Sequence, residues 1–166
     1  MSQFQHQRHK SPSALDRPRE LVLACAPLRS NVNLSRIVRA ASCSGVTRVI
    51  ACGNAKVDPK IARDGLTQIS LEKHRTLSAV LKKLRQADYE LVGLEQATDS
   101  EPLTEFAFQR RTVLVIGNER TGLTDDLLQQ LDRVVEIPVF GMPYSFNVAT
   151  ATAITMYEYC RQFPRG

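Results

Sequence analysis

Short runs of consecutive apolar residues alternate along the chain with segments in which apolar residues recur every three or four positions. Continuous apolar runs are typical of strands buried on both faces, and the second spacing is typical of amphipathic helices. The predicted strands are 21–26, 46–52, 67–71, 89–94, 112–117 and 134–138. The predicted helices are 31–44, a single turn at 60–64, 77–87, 123–131 and 147–162. This alternation predicts an α/β fold with a mainly parallel sheet and helices on both faces.

The first 19 residues differ in texture from the rest of the chain. They mix Gln, His, Arg, Lys, Ser and Pro with very few apolar residues, which predicts a basic, flexible N-terminal tail over residues 1–19. Such a tail either contacts RNA phosphates or has no role. The apolar pattern starts at Glu20 and shows no internal repeat, so residues 20–166 are predicted to form a single domain.

The composition is that of an ordinary globular protein, with 43% hydrophobic and 23% charged residues, which excludes a disordered chain. The formal net charge is +5. A basic balance fits a polyanionic partner, but it is equally compatible with a protein that is merely basic. Charge therefore leaves the partner open.

The four cysteines, at positions 25, 43, 52 and 160, form no CxxC pair. Their irregular spacing excludes a zinc ribbon, a haem-attachment motif and a redox motif. Reduced, buried structural cysteines are expected.

The chain has no apolar run near the roughly 20 residues that cross a bilayer, and no secretory signal follows its polar start. A cytoplasmic protein without a membrane segment or a metal is expected.

Open parallel sheets bind ligands beyond the carboxyl ends of their strands, so the loops at these ends are the candidates for a site. The loop after the first strand, residues 27–33, contains no glycine. A dinucleotide site with GxGxxG is therefore excluded, because such a loop must let backbone approach a pyrophosphate. The chain also lacks the GxxxxGK[ST] pattern of P-loop proteins and the GxSxG pattern of hydrolases.

Polar residues collect at three of these strand ends. The first helix carries Asn33, Arg36 and Arg39, and the strand at 112–117 runs into the tight loop 117–122 (GNERTG). The last strand leads through a loop to a segment in which Ser145 or Asn147 is predicted to cap the closing helix. Each residue taken alone has a structural explanation as a cap, a loop acid or a surface cation. Together they are predicted to meet at one edge of the sheet.

These three blocks resemble, in the same order, the motifs of the SpoU (TrmH-type) RNA 2′-O-ribose methyltransferases of the SPOUT superfamily. Residues 33–39 (NLSRIVR) resemble the first motif, NxGAIxRT, and residues 115–123 (VIGNERTGL) resemble the second, GxExxGL. Residues 137–138 (IP) with 145–151 (SFNVATA) resemble the third, IPM…SxNVxxA. The blocks span almost all of the chain after residue 19.

The first block departs from the family pattern at three positions. Ser35, Arg36 and Ala40 stand where Gly, Ala and Thr are usual, whereas Asn33 and Arg39 are kept. In the third block, the loop residues 140–141 (FG) replace a Met and a short polar loop. These departures bear on which RNA is the substrate.

The resemblance implies an α/β domain whose C-terminal part is threaded into a deep trefoil knot, with S-adenosylmethionine bound in the knot as cosubstrate. It also implies a homodimer whose active sites draw on both subunits, a tRNA or rRNA substrate, and no metal. The implied cofactor-binding residues are Leu94, Gly117, Gly122, Ile137 and Ser145. The implied catalytic residues are Arg39, Asn33, Glu119, Asn147 and Ser145.

Two roles for Arg39 follow from the resemblance, and both stay open. Arg39 either takes the proton of the ribose 2′-hydroxyl, which requires a strongly perturbed arginine, or stays charged and clamps an RNA phosphate. Asn33 and Glu119 would position Arg39 and the ribose, and Asn147 would fix Ser145 or a contact to the base. The two glycines of the second block are expected to let the main chain approach the ligand.

A dimer face on the first and closing helices is expected, because Ile37, Met156 and Tyr157 exceed what one sheet face needs. Three alternatives to the methyltransferase remain at this stage. The chain is an RNA-binding protein of the same fold without activity, a family member that modifies another RNA atom, or an unrelated α/β enzyme acting on a small acidic metabolite.

Overall fold

The computed structural model describes residues 3–166, and its centre is a seven-stranded sheet whose strand pairs are all parallel. The strand order is β3-β2-β1-β6-β4-β7-β5. The strands are β1 (Leu21–Cys25), β2 (Arg48–Cys52), β3 (Ser70–His74), β4 (Glu90–Leu94), β5 (Glu101–Pro102), β6 (Thr112–Ile116) and β7 (Arg133–Glu136).

Helices cover both faces of this sheet, as predicted. The helices are α1 (Asn31–Cys43), α2 (Pro59–Ala62), α3 (Gly65–Gln68), α4 (Ser78–Gln86), α5 (Asp125–Leu128) and α6 (Val148–Gln162). On one face, α1 packs against α6 and buries residues such as Leu34 and Met156 against the sheet. On the other face, α4 buries Val80, Leu81 and Leu84 against the opposite side chains of the same strands. The α/β architecture is therefore confirmed.

The strand predicted at 67–71 is wrong. Residues up to Gln68 belong to α3, and the strand that follows, β3, lies at Ser70–His74. This strand is at the edge of the sheet and its sequence is mostly polar. An ion pair across the strands, Arg48 Nε to Glu72 Oε1 at 2.6 Å, joins it to β2. Edge strands are often polar, and β3 has no run of apolar residues. The hydrophobic pattern therefore placed this strand three residues too early.

The closing helix begins at Val148, and its cap is Asn147 rather than Ser145. The Asn147 Oδ1 atom accepts hydrogen bonds from the backbone N–H groups of Ala149 and Thr150, at 2.9 and 3.3 Å. These bonds satisfy two of the donors that a helix leaves free at its start. The side chain of Asn147 is thereby held at the carboxyl edge of the sheet.

Two of the three residues expected at a dimer face lie in the core instead. Ile37 and Met156 are both 0% exposed, because α1 and α6 bury them between each other and the sheet. The prediction that they are surplus apolar residues is wrong. Tyr157, by contrast, is 75% exposed on the outer side of α6, and Val32 and Ile154 are also exposed on these two helices.

The four cysteines are free thiols. Cys25 and Cys52 are buried in their strands and Cys160 is half-buried, as expected of structural cysteines. Burial raises the pKa of the Cys25 thiol to about 12, so this group stays protonated at neutral pH. Cys43 is exposed near the end of α1, so the prediction of burial is wrong for this residue.

The residues just before β1 are hydrogen-bonded to the segments that follow the C-terminal ends of α1 and α6. Arg19 is 9% exposed, and its guanidinium donates to the backbone carbonyls of Ser44 and Phe163. The Asp16 backbone N–H donates to the Arg165 carbonyl at 2.9 Å. The predicted boundary between tail and domain at residue 19 stays a prediction, with these contacts just before it.

Candidate active site

A cavity of about 310 Å³ lies beyond the carboxyl ends of β4, β6 and β7. The fold places it there because parallel strands end at one edge and leave their loops to enclose a ligand. The five residues expected to bind a cofactor all line this cavity: Leu94, Gly117, Gly122, Ile137 and Ser145. The structure therefore brings the ends of three separate strands around one space.

The loop after β6 is a tight turn held by its own backbone. The N–H of Asn118 donates to the Gly122 carbonyl at 3.1 Å, and the N–H of Gly122 donates back at 2.9 Å. The Asn118 side chain closes the turn by accepting from the Arg120 backbone N–H and donating to the Pro27 carbonyl. This loop is therefore a rigid wall of the cavity, tied to the loop after β1.

The structure gives a specific reason for the two glycines of this turn. A Cβ atom at Gly117 would lie 2.4 Å from the carbonyl carbon of Gly122. A Cβ atom at Gly122, where φ is +65°, would lie 2.3 Å from Glu95 Oε2. The glycines therefore allow the protein's own backbone and one of its carboxylates to approach closely, which closes the turn beside the cavity.

Replacing Gly117 with alanine is expected to lower the free energy of unfolding by about 1–3 kcal/mol, because the new methyl group must push the Gly122 backbone away. Denaturant unfolding measures this loss. Gly141→Ala is the matched control, since a Cβ atom there meets nothing within 4 Å. Equal stability of the two variants would contradict the packing described for the turn.

Glu119 occupies the centre of a hydrogen-bond network at the rim of the cavity. Its Oε2 accepts from the Arg29 backbone N–H at 2.8 Å, and its Oε1 accepts from the Ser30 N–H and from Asn33 Nδ2, both at 3.0 Å. Burial raises the pKa of this carboxyl, but the hydrogen bonds from Arg29, Asn33 and Ser30 outweigh burial and hold the pKa below its usual value. Glu119 is therefore an ionised acceptor at neutral pH.

Asn33 connects this carboxylate to the closing helix. While its Nδ2 donates to Glu119, its Oδ1 accepts from Asn147 Nδ2 at 3.2 Å. Asn147 in turn caps α6 with its own Oδ1. The chain of bonds Glu119–Asn33–Asn147 thus joins the three sequence blocks, although 86 and 114 residues separate its partners in sequence.

Ser145 lines the cavity but stands outside this chain of bonds. Asn147 was expected to fix Ser145 or a contact to the base, and its described side-chain bonds go to Asn33 and to the start of α6. Ser145 is exposed, and its hydroxyl has no hydrogen-bond partner within residues 3–166. Its hydroxyl is therefore available to a ligand.

Arg39 lies apart from the cavity of its own chain. It follows Asn33 by six residues on α1, so the two side chains leave the helix axis in directions about 120° apart. Arg39 is exposed, and its backbone lies against α3, where a Cβ atom at Gly65 would be 3.5 Å from Arg39 Cα. Its guanidinium forms no ion pair or hydrogen bond with the described residues. Asn33, Glu119 and Asn147 are brought together, and Arg39 is not.

Two residues that line the cavity lie outside the three sequence blocks. Glu95 and Gln96 directly follow β4, and both line the cavity. Glu95 Oε2 accepts from the Leu123 backbone N–H at 2.9 Å, which ties β4 to the turn after β6. Gln96 Nε2 donates to the Tyr144 carbonyl at 3.1 Å, which ties β4 to the loop before α6. Their position at a carboxyl strand end was the signal that could have identified them.

Within residues 3–166, no three His, Cys, Asp or Glu residues are grouped closely enough to hold a metal ion. In the same part of the chain, every helix is too short or too polar to cross a membrane. The lining of the cavity includes three carboxylates, Glu95, Glu119 and Glu136, beside the one cation Arg120. Its electrostatics therefore suit a positively charged ligand.

Comparison with known proteins shows the family to which this chain belongs. The model of the SpoU rRNA Methylase family matches residues 20–157. A mouse protein named tRNA (guanosine(18)-2′-O)-methyltransferase TARBP1 is 39% identical over 82 residues. That match covers 49% of this chain and 5% of the mouse protein, so only a small part of that much longer relative is comparable.

Two solved structures share the fold with this chain and are 27% and 28% identical to it over the aligned residues. The A. aeolicus TrmH/SpoU tRNA modifying enzyme superposes with a TM-score of 0.84 at 27% identity, covering 90% of this chain and 78% of that one. The SpoU methyltransferase AviRb from Streptomyces viridochromogenes, solved with AdoMet, has a TM-score of 0.77 at 28% identity. This match covers 90% of this chain and 63% of AviRb.

Proposed function

The chain belongs to the SpoU rRNA methylase family, and we propose that it is an RNA 2′-O-ribose methyltransferase that uses S-adenosylmethionine as methyl donor. The observation that carries this proposal is the cavity at the carboxyl strand ends with the Glu119–Asn33–Asn147 chain at its rim. The three blocks that resemble the family motifs meet there. Their residues supply a donor site and polar groups for a ribose beside it.

The methyl donor occupies the cavity in this proposal. The backbone at Leu94, Gly117 and Ile137, together with the free hydroxyl of Ser145, holds its adenosyl and methionine parts. Three lining carboxylates suit a donor that carries a positive charge on its sulfonium. The AviRb structure with AdoMet supports this assignment.

The reaction transfers a methyl group from sulfur to the ribose 2′-oxygen. A new carbon–oxygen bond forms as the carbon–sulfur bond breaks, and the hydroxyl proton has to leave. We assign Arg39 to the RNA side of this step as a phosphate clamp, because its guanidinium is exposed and unpaired in the described chain. A guanidinium is a planar, two-pronged donor, and this geometry fits a phosphate. The hydroxyl proton then leaves to water. The general-base role remains the alternative.

The protein acts as a homodimer in this proposal. Arg39 does not line the cavity of its own chain, so in this proposal a second subunit brings it to a donor. The exposed apolar side chains of Val32, Ile154 and Tyr157 on α1 and α6 support a face that a second copy covers.

Sedimentation velocity at micromolar concentration is expected to give a dimer, and Tyr157→Glu is expected to shift it toward monomer by placing a charge in the covered face. Lys83→Glu on the exposed side of α4 is the matched control and should stay dimeric. A wild-type protein that sediments only as an 18.6 kDa species would contradict the dimer.

We further propose that the C-terminal part forms the deep trefoil knot of the family. The strand order supports it, since β6 lies between β1 and β4 in the centre of the sheet while β7 lies on the far side of β4.

We also place the protein in the cytoplasm, because all four of its cysteines are free thiols.

The substrate is tRNA or rRNA. A comparison of RNA from cells with and without this gene tests the proposed function in its natural setting. We expect one 2′-O-methylated nucleotide to disappear from the RNA of cells that lack the gene and to return with the wild-type gene. Unchanged nucleoside profiles in tRNA and rRNA would contradict the function.

A further inference from the structure

Six exposed cations lie in the stretch from the β1–α1 loop to the start of α3, and none of their side chains forms an ion pair, hydrogen bond or ring contact with residues 3–166. They are Arg29, Arg36, Arg39, Lys56, Lys60 and Arg63. From residue 29 to residue 68 the only carboxylates are Asp58 and Asp64. This part of the surface, here called the α1–α3 face, is therefore strongly positive.

The α1–α3 face is built by contacts that fix α2 and α3 to α1. Ser35, which is fully buried, accepts a hydrogen bond from the Asp58 backbone N–H through its Oγ at 2.8 Å. The start of α3 packs against α1, where Gly65 lies beside Arg39 and Ser42. Ser35 replaces the usual Gly of the first motif, so this departure supplies the anchor for α2. Lys60 and Arg63 are thereby held beside the helix that carries Arg36 and Arg39.

Arg63 adopts a backbone conformation that favours glycine, with φ 52° and ψ −142° at the end of α2. Residues other than glycine persist in such conformations where the surroundings impose them, and they are concentrated at functional sites. A glycine would relieve the strain but would remove a cation. An arginine in this conformation, rather than a glycine, points to a use for its side chain.

The Arg29 end of the α1–α3 face adjoins the donor cavity of its own chain, whereas the basic surface of α4 lies on the opposite face of the sheet. The loop that leads into α1 places the Arg29 and Ser30 backbone N–H groups on Glu119, at the rim of the cavity. The exposed lysines Lys82 and Lys83 lie on α4, which packs on the opposite face of the sheet. Charge density and continuity with the site therefore favour the α1–α3 face.

We propose that the α1–α3 face binds the phosphodiester backbone of the RNA substrate, with Lys60 and Arg63 contacting phosphates that flank the target nucleotide. This inference rests on the proposed function, since it assigns a binding surface to the substrate of that site. Phosphate contacts fix the register of the nucleic acid, and each releases counterions. Lys60 and Arg63 thus position the RNA, while Arg39 clamps a phosphate at the reacting nucleotide.

The test compares two double charge reversals with equal changes in net charge. Unmodified tRNA transcript is titrated into wild type, Lys60→Glu/Arg63→Glu and Lys82→Glu/Lys83→Glu at several salt concentrations. We expect the first variant to bind RNA about tenfold or more weakly, with the slope of log affinity against log salt reduced by roughly 1.5–2. The α4 variant is expected to stay within about threefold of wild type, because salt screens distant charges.

A single substitution separates a role in RNA binding from a role in folding. Arg63→Gly is expected to raise the melting temperature, because glycine adopts this conformation without strain, and to weaken RNA binding at the same time. Both variants at Lys60 and Arg63 are expected to bind S-adenosylmethionine like wild type. A positioning role lowers affinity for RNA and leaves donor binding unchanged.

Two results would overturn the position of the surface while leaving the proposed function intact. The first is that the Lys60→Glu/Arg63→Glu variant keeps the RNA affinity of wild type and the same slope of log affinity against log salt, and that Arg63→Gly also keeps wild-type RNA affinity. The other is a larger loss in the α4 variant than in the α1–α3 variant. A wild-type protein that binds the methyl donor but neither tRNA nor rRNA would overturn the proposed function and this inference together.

Discussion

Replacing Arg39 with alanine is expected to lower the rate of methyl transfer by about a hundredfold or more, while the affinity for S-adenosylmethionine stays within about twofold of wild type. Arg39 does not line the donor cavity, so its removal leaves the donor site intact. Its exposed guanidinium is expected to act only on the RNA, where the loss is felt in the transition state. Single-turnover methyl transfer and donor titration measure the two quantities on the same preparation.

Arg39→Lys separates the two roles of the side chain in part. A lysine keeps the charge and loses the planar pair of donors, so a clamp that uses one contact retains part of its activity. A clamp that needs both contacts would fall to the rate of Arg39→Ala, whereas a general base would keep activity, because a lysine amine loses its proton more readily than a guanidinium. Lys83→Ala is the control for an exposed helix cation and should have wild-type activity.

An Arg39→Ala protein with a transfer rate within a few-fold of wild type would contradict the assignment. Loss of donor binding in the same variant would show instead that Arg39 supports the fold or the subunit contact. The two failures are distinguishable, because only the second changes the donor affinity.

Glu119→Ala is expected to reduce methyl transfer by about a hundredfold and to lower the free energy of unfolding by about 1–3 kcal/mol. The substitution leaves three donors without their acceptor: the Arg29 and Ser30 N–H groups and Asn33 Nδ2. Asn33 then loses its orientation, and with it the bond to Asn147. Denaturant unfolding and methyl transfer measure the two effects.

The same carboxylate predicts a dependence of stability on pH. Its pKa is lower in the folded protein than the ordinary value of 4.5, so its contribution is fully present above about pH 5 and is lost as pH falls through the folded pKa. The difference in unfolding free energy between wild type and Glu119→Gln is therefore expected to shrink in acid. Glu105→Gln, at an exposed position, is the control. A difference that stays constant down to pH 3 would contradict the hydrogen-bond network.

The central strands were predictable because burial on both faces leaves an apolar run. All five residues of β6 are buried, and its bounds agree with the prediction to one residue. The edge of the sheet was not predictable in the same way. The ion pair between Arg48 and Glu72 stabilises β3, and β5 has only two residues, so neither strand produces a hydrophobic pattern. The strand order depends on contacts between distant segments, which no local pattern encodes.

The site was predictable to the extent that motif order locates it. The resemblance placed Gly117, Ile137 and Ser145 at one cavity, and the structure brings them together there. The hydrogen bond between Asn33 and Asn147 depends on the packing of α1 against α6. The hydrogen bond from the Leu123 backbone N–H to Glu95 depends on the shape of the turn at Gly122. The direction of Arg39 depends on the helix phase relative to the whole fold. These contacts and directions are set by tertiary packing, so residue spacing alone does not predict them.

We propose that this protein transfers a methyl group from S-adenosylmethionine to the 2′-oxygen of an RNA ribose. The most direct test incubates the purified protein with methyl-labelled donor and unmodified tRNA or rRNA, and then hydrolyses the product in alkali. A 2′-O-methyl group protects the adjacent phosphodiester, so we expect label in an alkali-resistant dinucleotide, and about a hundredfold less in the same time with Arg39→Ala. Label on mononucleotide bases, or no transfer to either RNA by a protein that binds the donor, would contradict it.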